Sequence, residues 1–164
     1  MIVLSAFDSP LGKVAVAERA NKLLCVHFGS IVQLKRDYPQ VMHLGETVET
    51  EVGPLAQQLS DYLNGQRNSL RVAVDFALVS SDFQRQVLQA LYRLPRGKTV
   101  SYQELGKMAG HERAARAVGS CMRRNPLAVV VPCHRVLPQS GGLGAYTGGV
   151  EKKAWLLARE GVTI

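Results

Sequence analysis

Apolar residues in the first eighty positions come in short runs broken by turn formers. Residues 2–7, 13–17 and 23–28 read as three strands, joined by Ser9-Pro10-Leu11-Gly12 and by Asn21-Lys22, which together make an antiparallel meander. Residues 31–38 read as a short helix stopped by Pro39. A clearer helix opens at Gly53-Pro54, carries Leu55, Leu59, Tyr62 and Leu63 on one face, and ends at Gly65. Residues 70–76 alternate well enough to predict one more strand.

Beyond Ser80 the pattern becomes helical. Ser81-Asp82-Phe83-Gln84 is a capping box, and Phe83, Val87, Leu88, Leu91 and Leu94 form the apolar face of the helix it starts, closed by Pro95 and Gly97. A second box, Ser101-Tyr102-Gln103-Glu104, starts a short helix with Leu105 and Met108 inside and Gly110 as its stop. A third helix is expected from Glu112, with Ala114, Ala117, Val118, Cys121 and Met122 on one face and Arg113, Arg116, Ser120 and Arg123 on the other. Two capped helices joined by a glycine turn, the second with a row of arginines, form a helix-turn-helix pattern. An ordinary helical hairpin with a solvated charged face has the same pattern.

Charge weighs between these two. The net charge is +7, but residues 1–80 hold 7 basic against 8 acidic side chains and residues 81–164 hold 13 against 5. So basic a second half suits a polyanion, a nucleic acid first and an anionic membrane surface second, which favours the DNA-reading interpretation of the arginine row. The change of character sets an expected boundary, a supporting α/β domain over 1–79 and a working domain over 80–164. Three cysteines without paired spacing predict no disulfide framework and a reducing compartment. No basic leader precedes residues 2–7, and no run approaches the ~20 apolar residues of a membrane span, so a soluble, intracellular protein is expected.

The chemistry centres on one short stretch. Residues 128–131 are four apolar side chains in a row, a pattern that suits a buried strand, and Pro132 would end its ladder. Cys133 then sits at a strand end beside His134 and Arg135, where nearby positive charge lowers a thiol pKa. The alternative is a cysteine that merely fills the core. Cys25 and His27 share a strand face, but no second pair stands at zinc-like spacing, so no metal is expected. Cys121 is expected to be buried and unreactive, and Ala154, Trp155, Leu157 and Ala158 read as the core patch of the last helix. Residues 141–149 are rich in glycine yet match neither a P-loop nor a dinucleotide fingerprint; their expected use is close approach of backbone to a flat ligand.

Pro132-Cys133-His134-Arg135-Val136, preceded by Arg116-Ala117-Val118-Gly119 and Asn125-Pro126 and followed by Tyr146-Thr147-Gly148-Gly149 and Trp155-Leu156-Leu157, closely resembles the O6-alkylguanine-DNA alkyltransferases. The resemblance covers the whole second half and, in the first, rests on Ser9-Pro10-Leu11-Gly12 and the strand pattern. It implies an α+β chain: a ribonuclease H-like antiparallel sheet with helices, then a helical domain with a winged-helix-like helix-turn-helix. It implies a single-turnover transfer of the alkyl group of O6-alkylguanine, and of O4-methylthymine, in double-stranded DNA to Cys133, by a monomer without cofactor, in the cytoplasm or, in a eukaryote, the nucleus. His134 would deprotonate Cys133 through a water, Glu160 would orient His134, Tyr102 would help rotate the nucleotide and protonate the departing base, and Asn125 would brace the turn. Arg116 would fill the gap in the duplex, with Arg113, Ser120, Arg123 and Arg135 as further DNA contacts. Met122, Val136, Tyr146, Thr147 and Gly148 would line the base pocket. Leu88 departs from the tryptophan that many members carry there, a matter of packing more than of chemistry.

Three other readings compete. A non-catalytic lesion binder of the same fold would lack the acceptor cysteine, which Cys133 argues against. A cysteine hydrolase would need Cys133 and His134 in direct contact, which neighbours at a strand end disfavour. A transcription regulator would need a dimerisation element that is not evident here.

Overall fold

The computed structural model describes residues 1–163. The chain forms two compact units, one of residues 1–78 with 126–130, the other of residues 79–125 with those from 131 onward.

In the first unit β1 (Ile2–Ser9), β2 (Gly12–Arg19) and β3 (Lys22–Phe28) form the antiparallel meander expected from their turns. α1 (Ile31–Asp37) starts at a capping box on Ser30 and Gln33. Pro39 opens a 3-10 turn, Pro39–His43, where a clean stop was expected, because proline fits a first helical position. β4 (Thr47–Glu49) then lies parallel to β1, so the sheet runs β3-β2-β1-β4 with one parallel edge. That strand is too short and polar to show in the hydrophobic pattern; the Ile2 N–H to Glu46 O and Thr50 N–H to Leu4 O bonds hold it. The strand predicted over 70–76 shrinks to a single bridge between Leu23 and Val74.

α2 (Pro54–Leu63) begins at Gly53, which has no side chain to cap it. Buried Glu18 supplies the cap instead, its carboxylate accepting from Leu55 N–H at 2.9 Å and Ala56 N–H at 3.3 Å, where the helix dipole favours negative charge. A Cβ at Gly53 would collide with that carboxylate. Ile2, Leu4, Ala15, Ala17, Leu24, Cys25, Leu34 and Val41 form the sealed core beneath.

Residues 126–130 complete this unit at the free edge of β3, where Val26 N–H donates to Pro126 O at 2.8 Å and Val26 bridges Leu127. The strand expected over 128–131 does not form. The segment is a turn, with Val129 at φ +70° and Val130 N–H bonded to Ala128 O at 2.8 Å. Its valines are buried, and burial is all that an unbroken apolar run reports; it does not distinguish an extended chain from a folded one.

The second unit begins with α3 (Asp82–Tyr92), in which Ser81 caps the N–H of Gln84. Only half of the expected capping box exists, because the Gln84 side chain instead donates to Arg124 O at 3.1 Å. β5 (Val100–Ser101) leads straight into α4 (Tyr102–Met108), whose Ser101–Glu104 box is complete. The following turn is tight: a Cβ on Gly106 would lie 3.0 Å from His111 O. α5 (Ala115–Arg123) starts later than the pattern predicts, since Arg113 adopts φ +58° and breaks the helix before it. Val118, Cys121 and Met122 are buried, whereas Ala117 faces solvent. β6 (Val136–Leu137) pairs in parallel with β5, Val100 to Val136 and Ser101 to Leu137, and α6 (Val150–Arg159) ends the unit. Among the described residues no helix is long and apolar enough to cross a membrane.

Candidate active site

Cys133, His134 and Arg135 form one 3-10 turn, with Cys133 N–H bonded to Val131 O at 2.8 Å and Arg135 N–H to Pro132 O at 2.9 Å. Successive side chains on such a turn diverge by about a third of a revolution. Cys133 accordingly lines the pocket while His134 and Arg135 turn toward Glu160.

His134 and Arg135 converge on Glu160, just past the last turn of α6. Glu160 Oε2 lies 2.9 Å from His134 Nε2 and 2.8 Å from an Arg135 guanidinium nitrogen, and Oε1 accepts from Arg135 Nε at 2.9 Å. A further Arg135 nitrogen donates to Leu94 O at 2.7 Å. The carboxylate and the imidazole are sealed from solvent. Burial alone would raise the Glu160 pKa, but the bonds from His134 and Arg135 outweigh it and hold the group at about 2. Burial pushes His134 below its ordinary value, against the pull of Glu160, so the imidazole is neutral at rest. His134 Nδ1 has no hydrogen-bond partner among the described residues. Arg135, expected as a DNA contact, is engaged in this buried cluster and takes a structural place instead.

Cys133 is 6% exposed, and that burial raises its thiol pKa. The expectation that His134 and Arg135 would acidify it is therefore corrected, because both are turned into Glu160. The groups that do favour the thiolate are Asn125, by a side-chain hydrogen bond, the charge of Lys153, and the Tyr146 hydroxyl. Asn125 also donates from Nδ2 to Val131 O at 2.8 Å, tying the end of α5 to the entry of the cysteine turn. At rest Cys133 is a protonated thiol poised among donors.

The thiol opens on a pocket lined by Tyr102, Gly119, Met122, Arg123, Cys133, Ala145, Tyr146 and Thr147. Met122, Tyr146 and Thr147 line it as expected. Val136 does not: its side chain is in the core and its carbonyl accepts from Lys153. Gly148 also lies outside the lining. The Tyr102 ring packs over Gly119, where a Cβ would already be in contact at 3.9 Å. Burial first, then the nearby Cys133, raises the Tyr102 pKa, so its hydroxyl keeps its proton. Thr147 Oγ1 donates to Arg123 O at 3.4 Å, fastening the pocket loop to the end of α5. Gly144, at φ +70°, sits where a Cβ would be 2.8 Å from the Pro138 ring, which fixes glycine there.

Arg116, Ser120 and Arg123 lie at helical spacing on α5, with Arg123 at the pocket and both arginines exposed. Arg113 precedes the helix and is off that row. Among the buried polar residues around Cys133, the one that the sequence reading missed is Lys153. Its signal was present: Lys153, Leu156, Leu157 and Glu160 follow at intervals of three and four, placing a lysine and a glutamate on the apolar stripe of α6. Trp155, expected in the core, is half-buried with the Arg159 guanidinium 5.4 Å from its ring centre. Cys121 is buried and its pKa raised. In the first unit Cys25 is sealed, and His27 pairs with Asp37 at 2.9 Å. Among the described residues no cluster of three or more His, Cys, Asp or Glu side chains could hold a metal.

Two family models match the chain. The ribonuclease-like domain of 6-O-methylguanine DNA methyltransferase covers residues 2–76, and the DNA binding domain of the same family covers residues 82–162. The methylated-DNA–protein-cysteine methyltransferase of Mycolicibacterium paratuberculosis is 37% identical over 98% of this chain and 93% of its own length. The protein of that name from Salmonella typhimurium is 42% identical over 68% of this chain, and the matched stretch spans 65% of that protein. Among solved structures, O6-methylguanine methyltransferase of Mycobacterium tuberculosis superposes with a TM-score of 0.79 at 33% identity, covering 98% of this chain and 93% of that one. A complex of the Mycobacterium tuberculosis protein with DNA gives 0.80 at 32% identity over 96% of this chain and 92% of that one.

Proposed function

This chain belongs to the 6-O-methylguanine DNA methyltransferase family, and we propose that it repairs DNA by moving the alkyl group of O6-alkylguanine onto its own Cys133. The observation that carries the assignment to Cys133 is the pocket: of the three cysteines it alone lines an opening, whereas Cys25 and Cys121 are sealed in cores.

The reaction is an in-line displacement at an alkyl carbon, which suits a soft sulfur nucleophile in a partly dry site. Neutral His134, held by Glu160, takes the thiol proton through a water as the sulfur attacks. A carbon–sulfur bond forms, the bond from carbon to guanine O6 breaks, and its electron pair stays with the base. Tyr102 hands its hydroxyl proton to the departing guanine and is reprotonated by way of His134 and water, so the net transfer is from thiol to base. The product is a thioether with no leaving group as good as guanine. Each molecule therefore acts once, without a cofactor.

The lesion lies inside the stack, so the nucleotide has to be flipped into the pocket at a cost of a few kcal/mol. Arg116 fills the gap, and Arg123 and Ser120 on the same face of α5 hold the duplex. The first unit supports the second. We assign the work to a monomer on double-stranded DNA carrying O6-alkylguanine, with O4-methylthymine as a second substrate, in the cytoplasm of a prokaryote or the nucleus of a eukaryote.

Cys133→Ala tests the assignment. With a duplex labelled on the O6-methyl group, the variant is expected to take up no label while its affinity for the duplex stays within a few-fold of the parent's. Labelled protein from this variant would overturn it.

A further inference from the structure

Lys153 is the largest fully buried side chain in the described protein. A sealed ammonium is among the costliest groups to place in a core, and a methionine or leucine would fill the same space without that penalty. Its Nζ donates to Val136 O at 2.8 Å and to Ala145 O at 3.3 Å. Neither partner is a carboxylate, so among the described residues the ammonium forms no salt bridge.

The two carbonyls are informative by their place in the chain. Val136 follows directly on the turn of Cys133, His134 and Arg135, and Ala145 precedes Tyr146, which lines the same pocket as the thiol. The ammonium is thereby fixed to both sides of the sulfur's surroundings. An ionised Cys133 favours the charged form of Lys153 in return, while the Lys153 charge opposes protonation of His134. Of the other charged or titratable groups around Cys133, His134 and Arg135 are bound to Glu160, Tyr102 and Tyr146 keep their protons, and Arg123 stands at the solvent-exposed rim. The standing buried anion, Glu160, is taken up by His134 and Arg135, so the anion left for Lys153 to balance is Cys133 once it ionises.

We propose that Lys153 is the standing charge partner of the Cys133 thiolate, a positioning residue held by the Val136 and Ala145 carbonyls that favours ionisation of the sulfur as the alkyl carbon is attacked. Lys153 gives up no proton; the thiol proton still passes to His134. The inference rests on Cys133 being the alkyl acceptor.

Iodoacetamide provides a test that needs no DNA. The rate of carbamidomethylation at Cys133, located by peptide mass spectrometry, is measured against pH for the parent, Lys153→Met, Lys153→Gln and Lys153→Arg. Lys153→Met removes charge and donor together, Lys153→Gln keeps an N–H donor without charge, and Lys153→Arg keeps the charge. The midpoint is expected to rise by roughly one pH unit in both uncharged variants, making each about tenfold slower below the parent midpoint, and to stay near the parent value in Lys153→Arg. A parent-like midpoint in Lys153→Gln would reduce Lys153 to a tether and overturn the proposal.

Linkage gives a check on the unmutated protein, independent of whether the variants fold. In the unmutated protein the Lys153 Nζ resonance, followed by NMR against pH, should shift as the Cys133 thiol ionises, and carbamidomethylation should abolish that shift; a resonance indifferent to the thiol's ionisation contradicts the proposal. Methyl transfer from an O6-methylguanine duplex is measured in parallel. A shifted iodoacetamide profile without methyl transfer would keep the charge pair and discard the repair reading.

Discussion

His134 Nε2 stands 2.9 Å from Glu160 Oε2, with both side chains closed off from solvent. The contact sets the tautomer: with Nε2–H bonded to the carboxylate, Nδ1 is the site free to take a proton, and the carboxylate stabilises the imidazolium that results.

Glu160→Gln keeps a hydrogen-bonding group but removes the charge that balances both His134 and Arg135. Alkyl transfer is expected to slow by roughly 10²-fold. Stability at pH 7 should fall by about 3 kcal/mol, because Arg135 is left unpaired and largely buried. The pH dependence separates parent from variant. Glu160 titrates lower in the folded protein than in the unfolded chain, so its contribution is whole above the ordinary 4.5 and drains away as the pH falls toward about 2. His134, also lowered by folding, adds a loss in the same direction below its ordinary 6.5. Urea unfolding across pH 2 to 8 should show a steep acid loss in the parent and a shallower one in Glu160→Gln between 4.5 and 2; equal slopes there would contradict the assignment.

Val129 holds φ +70°, a region that disfavours a β-branched residue by about 1–3 kcal/mol. Its neighbour Val130 is also buried but adopts no positive φ. Both lose a comparable side chain on mutation to glycine, so the difference isolates the backbone. Val129→Gly should be less destabilising than Val130→Gly by about 1–3 kcal/mol in urea unfolding. Equal losses would mean that the turn is not strained.

The exposed arginines of α5 make a prediction about salt. If Arg116 and Arg123 each meet a phosphate or the duplex gap, alanine at either should weaken binding to undamaged DNA and lower the slope of log affinity against log salt by about one. Arg135→Ala should leave that slope alone, since its guanidinium is bound to Glu160 and Leu94 O. A slope changed by Arg135→Ala and not by Arg116→Ala would reverse the assignment of the DNA-facing surface.

The meander and the two helix starts at Ser81 and Ser101 were legible because turn residues and caps act over three or four positions. The same locality made the arginine row readable, except at Arg113, where a single left-handed residue ends the periodicity. Residues 128–131 were misread as a strand because hydrophobicity reports burial and is silent on φ. The acidity of Cys133 was misjudged for a related reason: adjacency in sequence was taken as proximity in space, and a 3-10 turn sends neighbours apart. Glu160 reached the site through family resemblance, and Lys153 did not reach it at all, although its place on the apolar stripe of α6 marked it. A cation expected on the surface has to be read as anomalous when its period says core.

The central claim, one alkyl group moved from guanine to Cys133 per protein molecule, is tested most directly by mass spectrometry after mixing the protein with a duplex carrying a single O6-methylguanine. The account predicts a gain of one methyl group, saturating at one per chain and located on the peptide that holds Cys133. Tight binding of the duplex with the thiol reduced and no gain in mass, or a methyl group found on Cys25 or Cys121, would contradict it.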